Sequence, residues 1–267
     1  MSQKIDPASA AGFQGAGKQP PPATGLQGVT EQLTPVGRNI EHESFAIIDR
    51  EAGPHDYRPD QWPLVRRLIH ASGDFDFNGL TAFHPDAVTA GVANLRAGRP
   101  IVADVEMIAV GLSRPRLAHF GVAVHHFIAD ADVIRQAQVE NSTRAVQAMR
   151  KAWRLGLLDG GLIAIGNAPT ALLEVIRLIR EEGVRPGLII GMPVGFVAAA
   201  ESKAALEGLT VSSPPSPLAG EGRGEGVQSG LASIPWVLTR GRKGGSTLVV
   251  AALHALLALA ETRGQGE

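Results

Sequence analysis

Among the eight histidines of the chain, His70 has the local sequence that best suits proton transfer. It stands at the end of a predicted helix and is followed by Ala71-Ser72-Gly73, small residues that stop a helix and leave room for a ligand. An imidazole titrates near neutral pH, so a histidine in this position can serve as a general acid or base. The alternative is an ordinary histidine at a helix end, and the spacing alone does not decide between the two.

The other histidines do not predict a metal site. His125 and His126 are adjacent on a predicted strand, so their side chains point to opposite faces and cannot easily share one ion. His254 lies in an apolar helix and is predicted to be a core or interface residue. No histidine spacing of the H-E-x-x-H kind occurs, and the absence of cysteine excludes thiolate zinc sites, iron–sulfur clusters and disulfides. We therefore predict no metal.

Three segments have residue types that suit the binding of anions. Residues 166–170 (GNAPT) join a strand to a helix, whose first N–H groups and partial positive charge attract an anion; Asn167 is its expected N-cap. Residues 239–246 (TRGRKGGS) place three cations and three glycines before another helix. Residues 113–116 (SRPR) predict a rigid turn whose guanidinium groups could clamp carboxylates. The structural alternatives are a capped turn, a solvated loop and a surface turn.

Several classes of function are disfavoured. Residues 239–246 do not form a Walker A loop, and the GEGRGEG run at 220–226 has neither the spacing nor the preceding strand of a dinucleotide site. The net charge of −1 argues against a nucleic-acid-binding protein or a polybasic membrane-surface protein. No apolar stretch reaches the roughly 18–20 residues that a bilayer requires, and no secretion signal is apparent. The expected location is the cytoplasm.

The elements that must position these residues alternate between strand and helix. Three strand–glycine–helix units, whose strands are residues 161–166, 187–191 and 236–241, contain continuous apolar runs typical of a buried parallel sheet. Further strands are predicted at 101–105 and 122–128. Helices are predicted at 39–51, 63–71, 85–98, 107–111, 141–155, 171–180, 198–206 and 246–260. The pattern predicts a three-layer α/β/α fold with a mainly parallel, Rossmann-like central sheet, whose ligand lies at the carboxyl ends of the strands.

Two segments have compositions that do not suit a packed fold. Residues 1–34 are rich in Gly, Pro, Gln and Ala and predict a disordered tail, because they cannot bury enough apolar surface to offset the entropy of ordering. Residues 212–233 are of low complexity and predict an external insertion. The remaining chain, 35–267, is predicted to be a single α/β domain.

Several of these segments resemble the precorrin-8X methylmutase family of cobalamin biosynthesis. The resemblance runs in order from about residue 39 onward and covers 43–48 (ESFAII), 68–73 (LIHASG), 165–171 (IGNAPTA), 191–203 (GMPVGFVAAAESK) and 240–246 (RGRKGGS). It implies an isomerase that moves a methyl group from C-11 to C-12 of precorrin-8X, giving hydrogenobyrinic acid, or that acts on the cobalt-containing equivalent. It also implies that no cofactor takes part and that the protein is a homodimer, with the substrate held near the interface.

The resemblance also assigns roles to individual residues. It makes His70 the catalytic residue, which protonates the macrocycle near the migrating methyl group or holds a proton there. It implies substrate contacts at Ser44, Arg67 and Arg144. Because the substrate carries many carboxylates, the anion-binding segments predict further substrate contacts at Ser113, Arg114, Arg116, Asn167, Thr170, Arg240 and Arg242. The alternatives are a corrinoid-binding protein without catalytic activity and a generic phosphate-binding α/β enzyme.

Overall fold

A single six-stranded sheet forms the centre of the molecule. The computed structural model describes residues 34–209 and 234–262. Its strands are β1 Thr81–Phe83, β2 Ile101–Ala103, β3 Val124–His125, β4 Leu162–Ile165, β5 Leu188–Gly191 and β6 Trp236–Thr239. They lie in the order β1-β6-β5-β4-β2-β3. Only the pair of β1 and β6 is antiparallel, which confirms the mainly parallel sheet.

Helices cover both faces of this sheet. Those of the described residues are α1 Pro35–Glu51, α2 Trp62–Ser72, α3 Phe77–Leu80, α4 Ala87–Arg96, α5 Glu106–Gly111, α6 Arg114–Phe120, α7 Ala131–Val139, α8 Arg144–Arg154, α9 Pro169–Glu181, α10 Ala199–Glu207 and α11 Ser246–Thr262. All eight predicted helices are present, with ends displaced by up to four residues. The helix pattern was therefore correct.

The alternation of side chains along each strand divides the core into two halves. On β4, Leu162 and Ala164 pack with α1, α2, α4 and α11, whereas Ile163 and Ile165 pack with α8, α9 and α10. Successive side chains of a strand point to opposite faces, so a strand buried on both sides must be apolar throughout. This is the physical reason for the continuous apolar runs and for the three-layer architecture.

The shorter elements differ from the sequence-based expectation. β3 comprises two residues instead of the predicted stretch 122–128, and β1, α3 and α7 were not predicted. β1 is only three residues long and exists because it pairs with β6, Thr81 opposite Thr239. The predicted turn at 113–116 is wrong as well, since Arg114 begins α6. Short elements depend on contacts distant in sequence, which a local pattern does not contain.

Two predictions fall on other parts of the chain. The predicted tail, apart from Thr34, and the predicted insertion at 212–233 lie outside the described residues, so the division into domains stays a prediction. Thr34 is the N-cap of α1, where its hydroxyl accepts the Gly37 N–H at 3.1 Å. Across residues 34–209 and 234–262, no helix combines the length and the apolar character needed to cross a bilayer.

Candidate active site

An open cleft of about 270 Å³ lies between α1, α2 and the first half of α11. Its lining residues share helical spacing: Glu41 from α1; Arg67, His70 and Ala71 from α2; and Thr247, Val250, Ala251 and His254 from α11. Residues three, four and seven apart lie on one face of a helix, so each helix presents a single stripe to the cleft. Because α11 begins just after β6, the cleft lies at the carboxyl end of the sheet.

His70 lies at the rim of this cleft with its ring exposed. Its Nδ1 atom is 2.8 Å from the Ser44 hydroxyl of α1, so Nε2 is the ring nitrogen left to face a ligand. The Phe45 ring lies edge-on, with its centroid 5.2 Å from that of the imidazole. α2 ends two residues after His70, at Ser72, because Gly73 adopts a left-handed conformation with φ of 65°. The imidazole is therefore held in position and accessible.

Arg67 lies one helical turn before His70 and is largely buried. Its guanidinium pairs with the Glu41 carboxylate at 3.0 Å and lies 5.4 Å from the Phe45 ring centroid. The flat guanidinium suits a second carboxylate, which would have to share or displace Glu41. Glu41 was not predicted as a site residue; its distance of three residues from Ser44 is the signal that could have found it.

His254 lines the same cleft from α11 and is 8% exposed. Burial lowers the pKa of its imidazole, and a hydrogen bond with the Gly111 backbone opposes that shift in part. The ring is therefore neutral near pH 7. The sequence predicted a core or interface residue, and the burial agrees with the former. Its position seven residues after Thr247 is what places it in the cleft.

The backbone N–H groups of residues 166–168 are occupied by a carboxyl group of the protein itself. The fully buried Asp104 carboxylate, just after β2, accepts the N–H groups of Gly166, Asn167 and Ala168 at 3.0, 2.8 and 2.7 Å. Burial raises the pKa of Asp104, and the three backbone donors act in the opposite direction. Ala168, not Asn167, is the N-cap of α9, which corrects the prediction. These N–H groups are not free for a substrate.

The side chains of the same loop remain candidates for substrate contact. Asn167 is exposed, and the Thr170 hydroxyl is 3.1 Å from that of Thr143, the N-cap of α8. Arg144 follows Thr143 directly, is exposed, and lines a second cleft of about 510 Å³ between α7 and α8. The structure therefore brings Thr170 close to the start of Arg144's helix. Arg144 lies in a different cleft from that of His70.

The loop between β6 and α11 is tied down by its own ion pairs. Arg240 pairs with Glu207, and the Lys243 ammonium lies 2.5 and 2.7 Å from the carboxylates of Asp74 and Asp76. Within the described parts of the chain, Arg242 has no carboxylate partner; its guanidinium lies 5.5 Å from the Phe196 ring. Of the three cations, Arg242 is the one available to a ligand without exchange.

The glycines of this loop allow close packing. The Gly245 N–H donates to the Met192 carbonyl at 2.8 Å, and a Cβ at Gly244 would lie 2.3 Å from the same oxygen. The loop is therefore pressed against the segment that follows β5.

A lysine beneath the loop was not predicted. Lys203 is 1% exposed and donates to the Lys243 carbonyl at 2.9 Å, and burial lowers its pKa to about 8. A lysine in the predicted helix 198–206 gives no signal of burial.

The segment at 113–116 is only partly near the cleft. Gly111 packs against Val250 of α11, so Ser113 and the exposed Arg114 lie a few residues from the cleft wall. Arg116 is buried, and its guanidinium forms an ion pair with Glu261, in which Nη2 donates to Oε2 at 3.0 Å and Nε lies 2.9 Å from Oε1. Glu261 lies 14 residues along α11 from Thr247, or about 21 Å away. The predicted substrate contact at Arg116 is therefore corrected to a structural ion pair.

The predicted site residues do not all meet in one place. Ser44, Arg67 and His70 meet in one cleft, Arg242 lies on the loop that leads into α11, and Arg144 lies in the second cleft. Across the described residues, no three His, Asp or Glu side chains are grouped in a way that could hold a metal ion.

Comparisons with known proteins agree on one family. The family model described as precorrin-8X methylmutase matches residues 39–259. A cobalt-precorrin-8 methylmutase from Leptospira interrogans is 49% identical over 234 residues, covering 88% of this chain and 99% of the relative. A precorrin-8X methylmutase from a Sinorhizobium species is 37% identical, covering 82% and 93% of the two chains.

A solved structure supports the same family. The crystal structure of precorrin-8X methylmutase from Thermus thermophilus superimposes with a TM-score of 0.71 at 46% identity, covering 85% of this chain and 98% of the other. The match includes the segments that hold Ser44, His70 and Arg242. The chain therefore belongs to the precorrin-8X methylmutase family, the methyl-migrating isomerases of cobalamin biosynthesis.

Proposed function

We propose that the chain moves a methyl group from C-11 to C-12 of precorrin-8X or of cobalt-precorrin-8, with His70 as the general acid. The observation that carries the proposal is an exposed imidazole whose Nδ1 is held by Ser44 at the rim of an open cleft. With Nδ1 engaged, Nε2 can give a proton to the macrocycle near the migrating group and favour the rearranged double bonds. The reaction is an isomerisation, so this proton returns to His70 before the next turnover.

The cations around the cleft suit a substrate with many carboxylates. Arg114, Arg144 and Arg242 are exposed and, within the described part of the chain, have no carboxylate partner. Arg67 and Arg240 already pair with Glu41 and Glu207, so a substrate carboxylate would replace an existing ion pair there. Guanidinium groups bind carboxylates through two parallel hydrogen bonds, which fixes orientation as well as affinity. Further proposed contacts are Ser44, Ser113, Asn167 and Thr170.

The size of the cleft bears on the assembly. Its volume of about 270 Å³ lies below the roughly 300–1,000 Å³ of sites for ordinary small ligands. A tetrapyrrole can therefore place only part of its surface there. A homodimer in which a second copy covers the rest of the substrate is part of this proposal, and light scattering of the purified protein tests it. The proposal also includes a cytoplasmic location and no role for nucleic acid.

The relatives do not favour a non-catalytic alternative. Both curated relatives described above are named as methylmutases, and nothing supports a corrinoid-binding protein without turnover. The more similar of the two is named for the cobalt-containing substrate and the other for the cobalt-free one. Both substrates therefore belong in the assay.

The test is an incubation of the protein with each substrate, followed through the visible spectrum. We expect conversion to the orange corrin chromophore of the product. His70→Ala should abolish conversion while hydrogenobyrinic acid still binds, because the imidazole supplies a proton and not the main binding surface. Undiminished turnover by this variant would reject the role of His70, and binding by the wild-type protein without any spectral change would reject the isomerase itself.

A further inference from the structure

Two large apolar side chains project into solvent next to the site. Phe196 and Val197, in the segment between β5 and α10, are each 84% exposed, and Val194 in the same segment is 46% exposed. Single exposed apolar residues are ordinary, but adjacent ones at the carboxyl end of a parallel sheet lie where such folds bind ligands.

The backbone around this pair is held in unusual conformations. Gly195 has φ of 144° before the pair, and Ala198 has φ of 59° after it. The left-handed region is unfavourable for a residue with a Cβ, and backbone of this kind is concentrated at ligand-binding segments. The base of the segment is fixed, since the Gly195 N–H donates to the Arg242 carbonyl at 3.3 Å and the Met192 carbonyl accepts from Gly245. Phe196 and Val197, the tip of this segment, are therefore held in place by hydrogen bonds of the residues that flank them.

The neighbouring loop connects this tip to the His70 cleft. The Arg242 guanidinium lies 5.5 Å from the Phe196 ring, and the next residue, Lys243, pairs with Asp74 just beyond α2. Thr247 lines the cleft and is five residues from Arg242, so their Cα atoms are at most about 18 Å apart. The apolar surface thus adjoins an available cation, and the cleft lies within about 18 Å of that cation.

We propose that Phe196 and Val197 form a binding surface for one apolar face of the tetrapyrrole, beside Arg242, which takes a carboxylate of its rim. A large flat macrocycle with an apolar face and a rim of carboxylates has the chemistry that matches this pairing. The inference rests on the proposed function and deepens it. The substrate spans from His70 to this tip, and the tip supplies affinity instead of proton transfer.

The test uses a double variant of the full-length protein, Phe196→Ser with Val197→Ser. We measure the Kd for hydrogenobyrinic acid by spectral titration, and kcat and KM for precorrin-8X. Burial of one such side chain strengthens binding by about 10- to 100-fold, so loss of both should raise Kd and KM by at least about tenfold. kcat should change little, because the contact is the same in substrate and transition state.

Two further variants control for solubility and for side-chain chemistry. Leu155→Ser removes an apolar side chain that is 56% exposed at the end of α8, and it should leave Kd and KM unchanged. Phe196→Leu keeps an apolar surface and should hold Kd within about threefold of the wild-type value. Both substituted residues of the double variant are exposed, so no cavity is created, and circular dichroism verifies the fold.

The outcomes separate this inference from the proposed function. Wild-type turnover together with an unchanged Kd and KM in the double variant overturns the inference alone. Loss of affinity accompanied by dissociation of an oligomer also overturns it, since the pair would then be a contact between copies of the chain. A wild-type protein that neither binds nor converts tetrapyrroles overturns the proposed function instead.

Discussion

Asp104 is the residue whose replacement tests the construction of the site most directly. Its carboxylate is fully buried and accepts three backbone N–H groups from the loop between β4 and α9. A Cβ at Gly166 of this loop would lie 2.7 Å from the Ser246 Cα, so the loop also supports the start of α11 and the cleft beside it. We expect Asp104→Asn to destabilise both this loop and the start of α11.

The expected loss of stability in Asp104→Asn follows from the hydrogen bonds that the variant cannot form. Asparagine offers one acceptor oxygen and an NH₂ group, so at least one buried N–H loses its partner, which costs about 1–3 kcal/mol. For a domain of this size, each kcal/mol lowers Tm by about 2–4 °C. A midpoint loss of about 2 kcal/mol therefore predicts a fall in Tm of about 6 °C.

Differential scanning calorimetry of the purified variant measures this change. Asp159→Asn is the matched control: the Asp159 carboxylate accepts one backbone N–H, that of Arg185, at 2.7 Å in an exposed loop. It should cost less than about 1 kcal/mol. A Tm for Asp104→Asn within about 2 °C of that control would refute the view that a buried carboxylate holds this loop.

Two further predictions concern buried titratable groups. The pKa of Lys203 falls to about 8 on folding from an ordinary value of 10.5, so the unfolded chain binds more protons between these values and stability rises with pH there. In urea unfolding, the free energy of unfolding of the wild-type protein should gain about 3 kcal/mol from Lys203 between pH 8 and 10.5, and Lys203→Met should lack this gain. Equal pH dependence of the two proteins would contradict the prediction. His254 has a pKa below 6.5, so its contribution to stability is present above pH 6.5 and is lost as the pH falls further. An NMR titration of its ring should give a midpoint below 6.5, and one at or above that value would disprove the assigned burial effect.

Much of the fold could be predicted because its signals are local. The apolar runs of β4, β5 and β6 and the stripes of the long helices repeat with the periods of strand and helix. The exposed position of His70 followed from a glycine that stops α2. β1 and α7 carried no comparable signal; β1 depends on its pairing with β6.

The roles of the arginines could not be predicted in the same way. Arg116 and Arg240 look alike in sequence to Arg242, since each lies in a short basic segment near a proline or a glycine. Arg116 is paired with Glu261, 145 residues away, and Arg240 with Glu207, 33 residues away. Which cation is left for a ligand depends on these distant partners, so among the described residues Arg242, Arg114 and Arg144 remain as candidates.

By itself, the sequence determined the layers, the mainly parallel sheet and the family, and it pointed to His70 as the proposed catalytic residue, because periodicity and contiguous motifs are properties of neighbouring residues. The tertiary structure decided which carboxyl group fills the start of α9, which cations are paired, and how Arg67 and His70, the latter held by Ser44, come to share one cleft with His254. These are Coulombic and hydrogen-bond contacts between segments tens to more than a hundred residues apart, and their energies depend on distances that only the folded chain sets.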